Sequence, residues 1–269
     1  MKKSISFILL FLMTLCVFGQ KNILIIPFDA KMYNNQESKA ICEYSGVSYD
    51  KSIEKIRTDL DMHIYSALKD SMNVSSMLRT YTTDASTDME VVHDNSVYYQ
   101  SDKVVDDIDK PSKKSGAPNS SIIAGEVVSV VTDNSEKLMN VKFQDPQLFR
   151  DLIQSYQAQY IVYLTQFELL GNYSDPYAVA ENTYLRAIKV HYVIYNSLGK
   201  FVYGNIATTT FSAKVNDLDQ ICDQYLPRIA KQIARRIPWI ILSSLVSRLS
   251  TLNSSLHILA IFQSRRSYR

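Results

Sequence analysis

Cysteine, glycine and histidine are all scarce in this 269-residue chain, and each shortage closes off a kind of chemistry. The three cysteines (Cys16, Cys42, Cys222) form no C-x-x-C pair. The four histidines (His63, His93, His191, His257) are scattered, with no H-E-x-x-H. Zinc-ligand spacing and dithiol redox motifs are therefore absent. Seven glycines (Gly19, Gly46, Gly116, Gly125, Gly171, Gly199, Gly204) make neither a phosphate-binding loop nor a dinucleotide fingerprint, and there is no G-x-S-x-G elbow. A net charge of +2 gives no reason to expect nucleic acid. Hydrophobic residues make up 46% of the chain, enough to bury a core, and the length suits one large domain or two small ones.

The small net charge hides an uneven distribution. Residues 1–19 carry Lys2 and Lys3 and no acid, and residues 235–269 carry six arginines and no acid. After Met1-Lys-Lys comes an almost unbroken apolar run, Ser4 to Phe18. A basic start, a short apolar stretch and small residues at its end are the pattern of an export signal. Val17 and Gly19 suit the −3 and −1 positions, so cleavage is expected between Gly19 and Gln20. The run is shorter than the ~20 residues an anchor helix needs. Leu15 before Cys16 does not suit lipid attachment. The expected location is the periplasm or the exterior. There Cys42 and Cys222 have the option of pairing, although no spacing argument brings them together; two half-buried thiols acting as small hydrophobes are the plainer reading.

Asn22-Ile-Leu-Ile-Ile-Pro-Phe-Asp29 reads as a strand buried on both faces and ended by Pro27. A helix is expected at about 50–71, with Ile53, Ile56, Leu60, Ile64 and Leu68 on one face and Ser48 or Asp50 as its cap. Residues 72–120 are poor in large aliphatics and read as an irregular insertion. Within it Val91–Tyr99 is a candidate strand, and 106–121, with its proline-flanked lysines, has the composition of a loop. Ile122–Thr132 reads as a strand turning at Asp133–Ser135 into Leu138–Phe143. Asp145-Pro146 opens a helix with Leu148, Phe149, Leu152, Ile153 and Tyr156 buried. Tyr160–Leu170 reads as a strand, and Tyr184–Tyr195 and Phe201–Phe211 as a hairpin around Asn196–Lys200. Val215–Arg236 is helical and broken by Pro227. If 160–170 and 184–195 are antiparallel neighbours, Glu168 and Arg186 come opposite and pair.

This order defines an α/β (α+β) domain at residues 20–237, a mixed sheet with helices packed against it and one long irregular insertion. The first strand "NILIIPF", the passage "QAQYIVYLTQFELL" and the hairpin "VHYVIYNSLGKFVYGN" together resemble exported bacterial domains of the TolB N-terminal and CsgG/LpoB-like group. The leader and the Gln20 junction are similar to those of Bacteroidetes-type envelope proteins. The resemblance covers residues 21–71 and 145–236, and its motifs are structural. It implies a non-catalytic accessory or assembly role in the cell envelope.

No catalytic or metal constellation emerges, and no cofactor is expected. Asp84, Asp88 and Asp94 match no calcium loop. Asp29 and Tyr33, just beyond the first strand, are the candidate partner-binding residues, because open α/β sheets bind ligands there. The expected partner is an envelope protein or cell-wall component. The competing reading is a cell-wall or polysaccharide hydrolase using carboxylates such as Asp29 and Glu168.

Residues 238–269 form a basic, leucine-rich tail. Leu242, Leu245, Leu249, Leu252, Leu256 and Leu259 step by 3 and 4. A peripheral membrane helix, an oligomerising helix and a segment of foreign origin, such as a shifted reading frame, all fit this composition. A membrane span does not, since Arg248 would cost about 2.5–3.5 kcal/mol at mid-bilayer. A chain ending at Ile237 is expected to melt within a few degrees of the full chain. Loss of folding in that variant would place the tail in the core.

Overall fold

The computed structural model describes residues 22–79, 83–103, 120–123, 126–129 and 136–237. The proposed leader, most of the 106–121 loop and the 238–269 tail lie outside these residues.

β1 (Asn22–Ile26) is covered on both faces, as its run of aliphatics requires. Ile23 and Ile25 enter one apolar cluster, and Leu24 and Ile26 enter another on the opposite side of the sheet. Pro27 interrupts the strand. After a 3₁₀ turn at Ala30–Met32, the short β2 (Tyr33–Asn35) continues along the same neighbour. α1 (Ser38–Ser45) ends at Gly46, whose φ of +64° is the left-handed conformation that glycine adopts without strain. α2 (Tyr49–Leu68) starts at Ser48, whose Oγ accepts from the Lys51 N–H at 3.3 Å. All five apolar positions expected on its inner face are buried. β3 (Asn73–Ser76) then pairs parallel with β1.

Within the stretch 72–120, α3 (Thr83–Asp94) and β4 (Ser96–Ser101) follow. Val91 and Val92 are thus helical rather than extended. Val92 is fully buried in the second cluster, and that tertiary contact overrides the β preference of the Val pair. β5 (Ser120–Ile123) and β6 (Glu126–Ser129) form an antiparallel pair where the sequence suggests a single strand. β7 (Leu138–Phe143) pairs with β4, a partner some forty residues earlier, and so turns Leu138, Val141 and Phe143 onto the sheet.

α4 (Pro146–Ser155) is capped by Asp145 and carries Pro146 in its first turn. β8 (Tyr160–Gly171), α5 (Pro176–Ala180), β9 (Leu185–Asn196) and β10 (Phe201–Ser212) follow. β9 and β10 form the expected hairpin, with Gly199 at φ +73° in the turn. α6 (Leu218–Gln224) is capped by Asp217 and breaks at Tyr225. α7, residues 226–237, resumes with Pro227 in its first turn, where the missing N–H costs nothing.

The main sheet has the order β10-β9-β8-β1-β3, with β2 beside β8 beyond β1. β1 is parallel to β3 and β8, and β8, β9 and β10 are antiparallel. This is the mixed sheet with packed helices that the sequence implies. α2, α6 and α7 cover one face; α3, α4 and the β4–β7 pair cover the other.

The expected Glu168–Arg186 pair does not form. Leu164 pairs with Tyr192 but Gln166 pairs with His191, so Thr165 is an extra residue in β8. This bulge exchanges the faces of every later side chain. Phe167 and Leu169 then join Tyr160, Val162 and Leu164 in the first cluster, while Glu168 turns to the other face and lies opposite Lys189. Arg186 lies opposite Gly171. Cys42 and Cys222 are both free thiols, the first half-buried and the second buried.

Candidate binding site at the carboxyl end of the first strand

β1 lies between β3 and β8. The connection through α2 to β3 runs over one face, and the connection through α4 into β8 runs over the other. The carboxyl end of β1 is therefore a switch point, where an open sheet offers a crevice between diverging connections. Asp29 sits there, 7% exposed, and one carboxylate oxygen accepts from the Lys31 N–H at 3.0 Å to cap the 3₁₀ turn.

Four other elements bring polar groups into its electrostatic neighbourhood. Arg57 comes from α2, His93 from α3, Tyr98 from β4 and Tyr163 from β8. His93 Nε2 lies 3.0 Å from the Pro27 carbonyl, so it carries the ring proton and donates it there. Burial holds the imidazole pKa below its ordinary value, so His93 is neutral at pH 7. The Tyr98 and Tyr163 hydroxyls are 3.1 Å apart, and Tyr163 lies 3.0 Å from Ser96 Oγ. Ser96 spends its own proton on the Val92 carbonyl at 2.7 Å. The chain therefore runs from Tyr98 to Tyr163 to Ser96 to Val92. Burial pushes the Tyr98 hydroxyl up to about 12 and holds Tyr163 well above the ordinary tyrosine value, so neither ionises near neutrality.

Arg57 is the least satisfied member. Its Nε is buried without an acceptor among the described residues. One terminal nitrogen meets the Met89 sulfur at 3.4 Å, and its guanidinium lies 5.8 Å from the Phe28 ring centroid. Burial lowers its pKa, partly opposed by Asp29, but the ordinary arginine value is high enough that it remains charged.

Of the two residues singled out by sequence, Asp29 belongs to this cluster and Tyr33 is packed in the core. Tyr33 stacks on Phe28 and Phe167 and meets Tyr49 edge-on, and its hydroxyl accepts from Asn35 Nδ2 at 2.7 Å. Burial raises its pKa to about 12. Arg57, His93, Tyr98 and Tyr163 escaped sequence reasoning because five separate elements supply the cluster. In the sequence Arg57 is simply one polar residue on the outer face of α2.

Glu168, the other carboxylate considered for hydrolysis, is committed elsewhere. His191 Nδ1 accepts the Met139 N–H at 2.8 Å, so Nε2 carries the proton and faces Glu168 at 3.4 Å. Asn34 and Gln166 also donate to Glu168. The histidine hydrogen bond holds this carboxyl below the usual range. Of the aspartates weighed for calcium, Asp88 accepts from the Tyr156 hydroxyl and Asp94 lies 3.6 Å from Lys31. Among the described residues no group of three or more His, Cys, Asp or Glu is placed to hold a metal ion, and no helix is long and apolar enough to cross a membrane.

Fold and site together define a mixed-sheet α/β domain with a polar cluster at its switch point. No protein-family model, curated protein or solved structure matches the chain.

Proposed function

We propose that this chain is an exported accessory domain of the cell envelope that binds a macromolecular partner and catalyses no reaction. The observation that carries the reading is Arg57, a guanidinium beside buried Asp29 with an Nε–H that nothing in the described fold accepts. Leaving such a donor unpaired costs about 1–3 kcal/mol. An acidic side chain or a main-chain carbonyl of a partner would recover that cost once docking uncovers this buried nitrogen, and would then be held in the fork geometry arginine provides. Val97 and Tyr99, the outward neighbours of Tyr98 on β4, are 43% and 44% exposed and supply apolar contact beside it.

The leader at residues 1–19 supports export, and the resemblance to the TolB N-terminal and CsgG/LpoB-like group supports an envelope role. The state of Glu168 supports a non-catalytic reading. A general acid in glycoside hydrolysis needs a raised pKa, and this carboxyl is lowered.

Two measurements test the reading. Amino-terminal sequencing of the exported protein is expected to begin at Gln20. A photo-crosslinking residue in place of Tyr99 is expected to form an adduct with an envelope component, and Arg57→Ala is expected to reduce that adduct about tenfold, as losing a charged hydrogen bond implies. An adduct unchanged by Arg57→Ala in a variant that melts like the parent would remove this site from the proposal.

A further inference from the structure

Among the described residues β10 is the outermost strand of the main sheet, and its twelve residues contain neither a charge nor a proline. Those are the residues that usually keep an exposed edge from recruiting another strand. A different device is present. The Thr208 N–H donates to Gln232 Oε1 at 3.1 Å, and the Thr208 carbonyl accepts from Gln232 Nε2 at 2.8 Å. The side-chain amide of Gln232, on α7, thus fills both positions that the backbone of an added strand would take. Ile206, two residues earlier on the same outward row, gives its N–H to Asn205 Oδ1 at 2.8 Å. Alternation places the Thr210 and Ser212 amides on that row as well.

We infer that the outer edge of β10 is a pairing surface for a second copy of this chain, held shut by Gln232 and Asn205. A two-fold axis at Thr208 sets Thr208 against its equivalent and Ile206 against Thr210 of the second copy. Such an antiparallel ladder brings no like charges together, because the strand has none. Two main sheets would join into one, edge to edge.

The test compares the full chain with Q232A, Q232K and Q232A/T208P by light scattering and amide exchange. Q232A is expected to reach a mass about twice that of the monomer. Its amides at 206–212 are expected to exchange about tenfold more slowly as concentration rises. Q232K puts a charge on the edge and is expected to stay monomeric. Adding Thr208→Pro removes the outward N–H without touching the ladder to β9, and is expected to reverse the association of Q232A. The inference is overturned if Q232A remains monomeric with faster exchange, if Q232K or Q232A/T208P associates equally, or if Q232A fails to fold. In the last case Gln232 belongs to the fold and is not a guard.

Discussion

Glu37→Gln is expected to lower the unfolding free energy by about 3–5 kcal/mol, the cost of leaving a buried charge without its partner. Glu37 Oε2 lies 2.8 Å from a terminal nitrogen of Arg186, and the two side chains are 5% and 2% exposed. The Tyr173 and Tyr184 hydroxyls also donate to this carboxylate. On its other side Arg186 donates to the Val215 carbonyl and to Asn216 Oδ1, at 2.9 and 2.8 Å. One guanidinium thereby ties the start of β9 to α1 and to the loop before α6. Gly171 is part of the arrangement, because a Cβ there would run into the Tyr173 ring and lie 2.6 Å from Glu37 Oε1. Urea unfolding at pH 7 measures the loss. Glu37→Met with Arg186→Met is expected to recover most of it, since removing both charges also removes their desolvation cost. A loss below about 1 kcal/mol for Glu37→Gln would mean the pair behaves like a solvated surface bridge.

Asp61→Asn is expected to stabilise the protein at pH 8 and to flatten its pH dependence below neutrality. Asp61 is 1% exposed on the inner side of α2; one oxygen accepts from Ser76 Oγ at 2.6 Å and the other has no partner among the described residues. Burial raises its pKa from 3.8 to about 6. Between those values the folded protein holds a proton that the unfolded chain has lost, so this group makes stability rise as pH falls from about 6 to about 4. Above pH 6 the folded state carries a buried carboxylate, at a cost of up to about 3 kcal/mol, taking 1.36 kcal/mol per pKa unit. The asparagine amide keeps an acceptor for Ser76 and does not ionise. Thermal melts from pH 4 to 8 compare the two proteins. Parallel stability curves for the parent chain and the Asp61→Asn variant would show that the carboxyl titrates elsewhere.

Much of the fold was legible because it rests on short-range rules. Four aliphatics before Pro27 specify a strand covered on both faces. The 3-and-4 spacing in α2 predicts its five buried residues, and Asp145-Pro146 marks the start of α4. Gly199 marks the β9–β10 turn, and Pro227 divides the last helical stretch at Tyr225. Each of these signals lies within a few residues of the structure it determines.

What the sequence alone could not settle depends on partners distant along the chain. Alternation in β8 predicts one face for Glu168, but the bulge at Thr165 gives that face to Phe167 and Leu169. Thr165 is fully buried and donates to the Met139 carbonyl, a contact that exists only once β7 has packed on the sheet. Arg186 finds Glu37 rather than Glu168 for the same reason. The polar cluster around Asp29 is likewise a product of assembly, since residues 29, 57, 93, 98 and 163 share no local pattern. Local sequence determined most of the helices and strands, through spacing, caps and turn residues, with helical Val91 and Val92 set instead by burial. Only the tertiary structure decided which strands pair and which buried charges meet, because a single extra residue in a strand reverses its faces and long-range burial selects the partners.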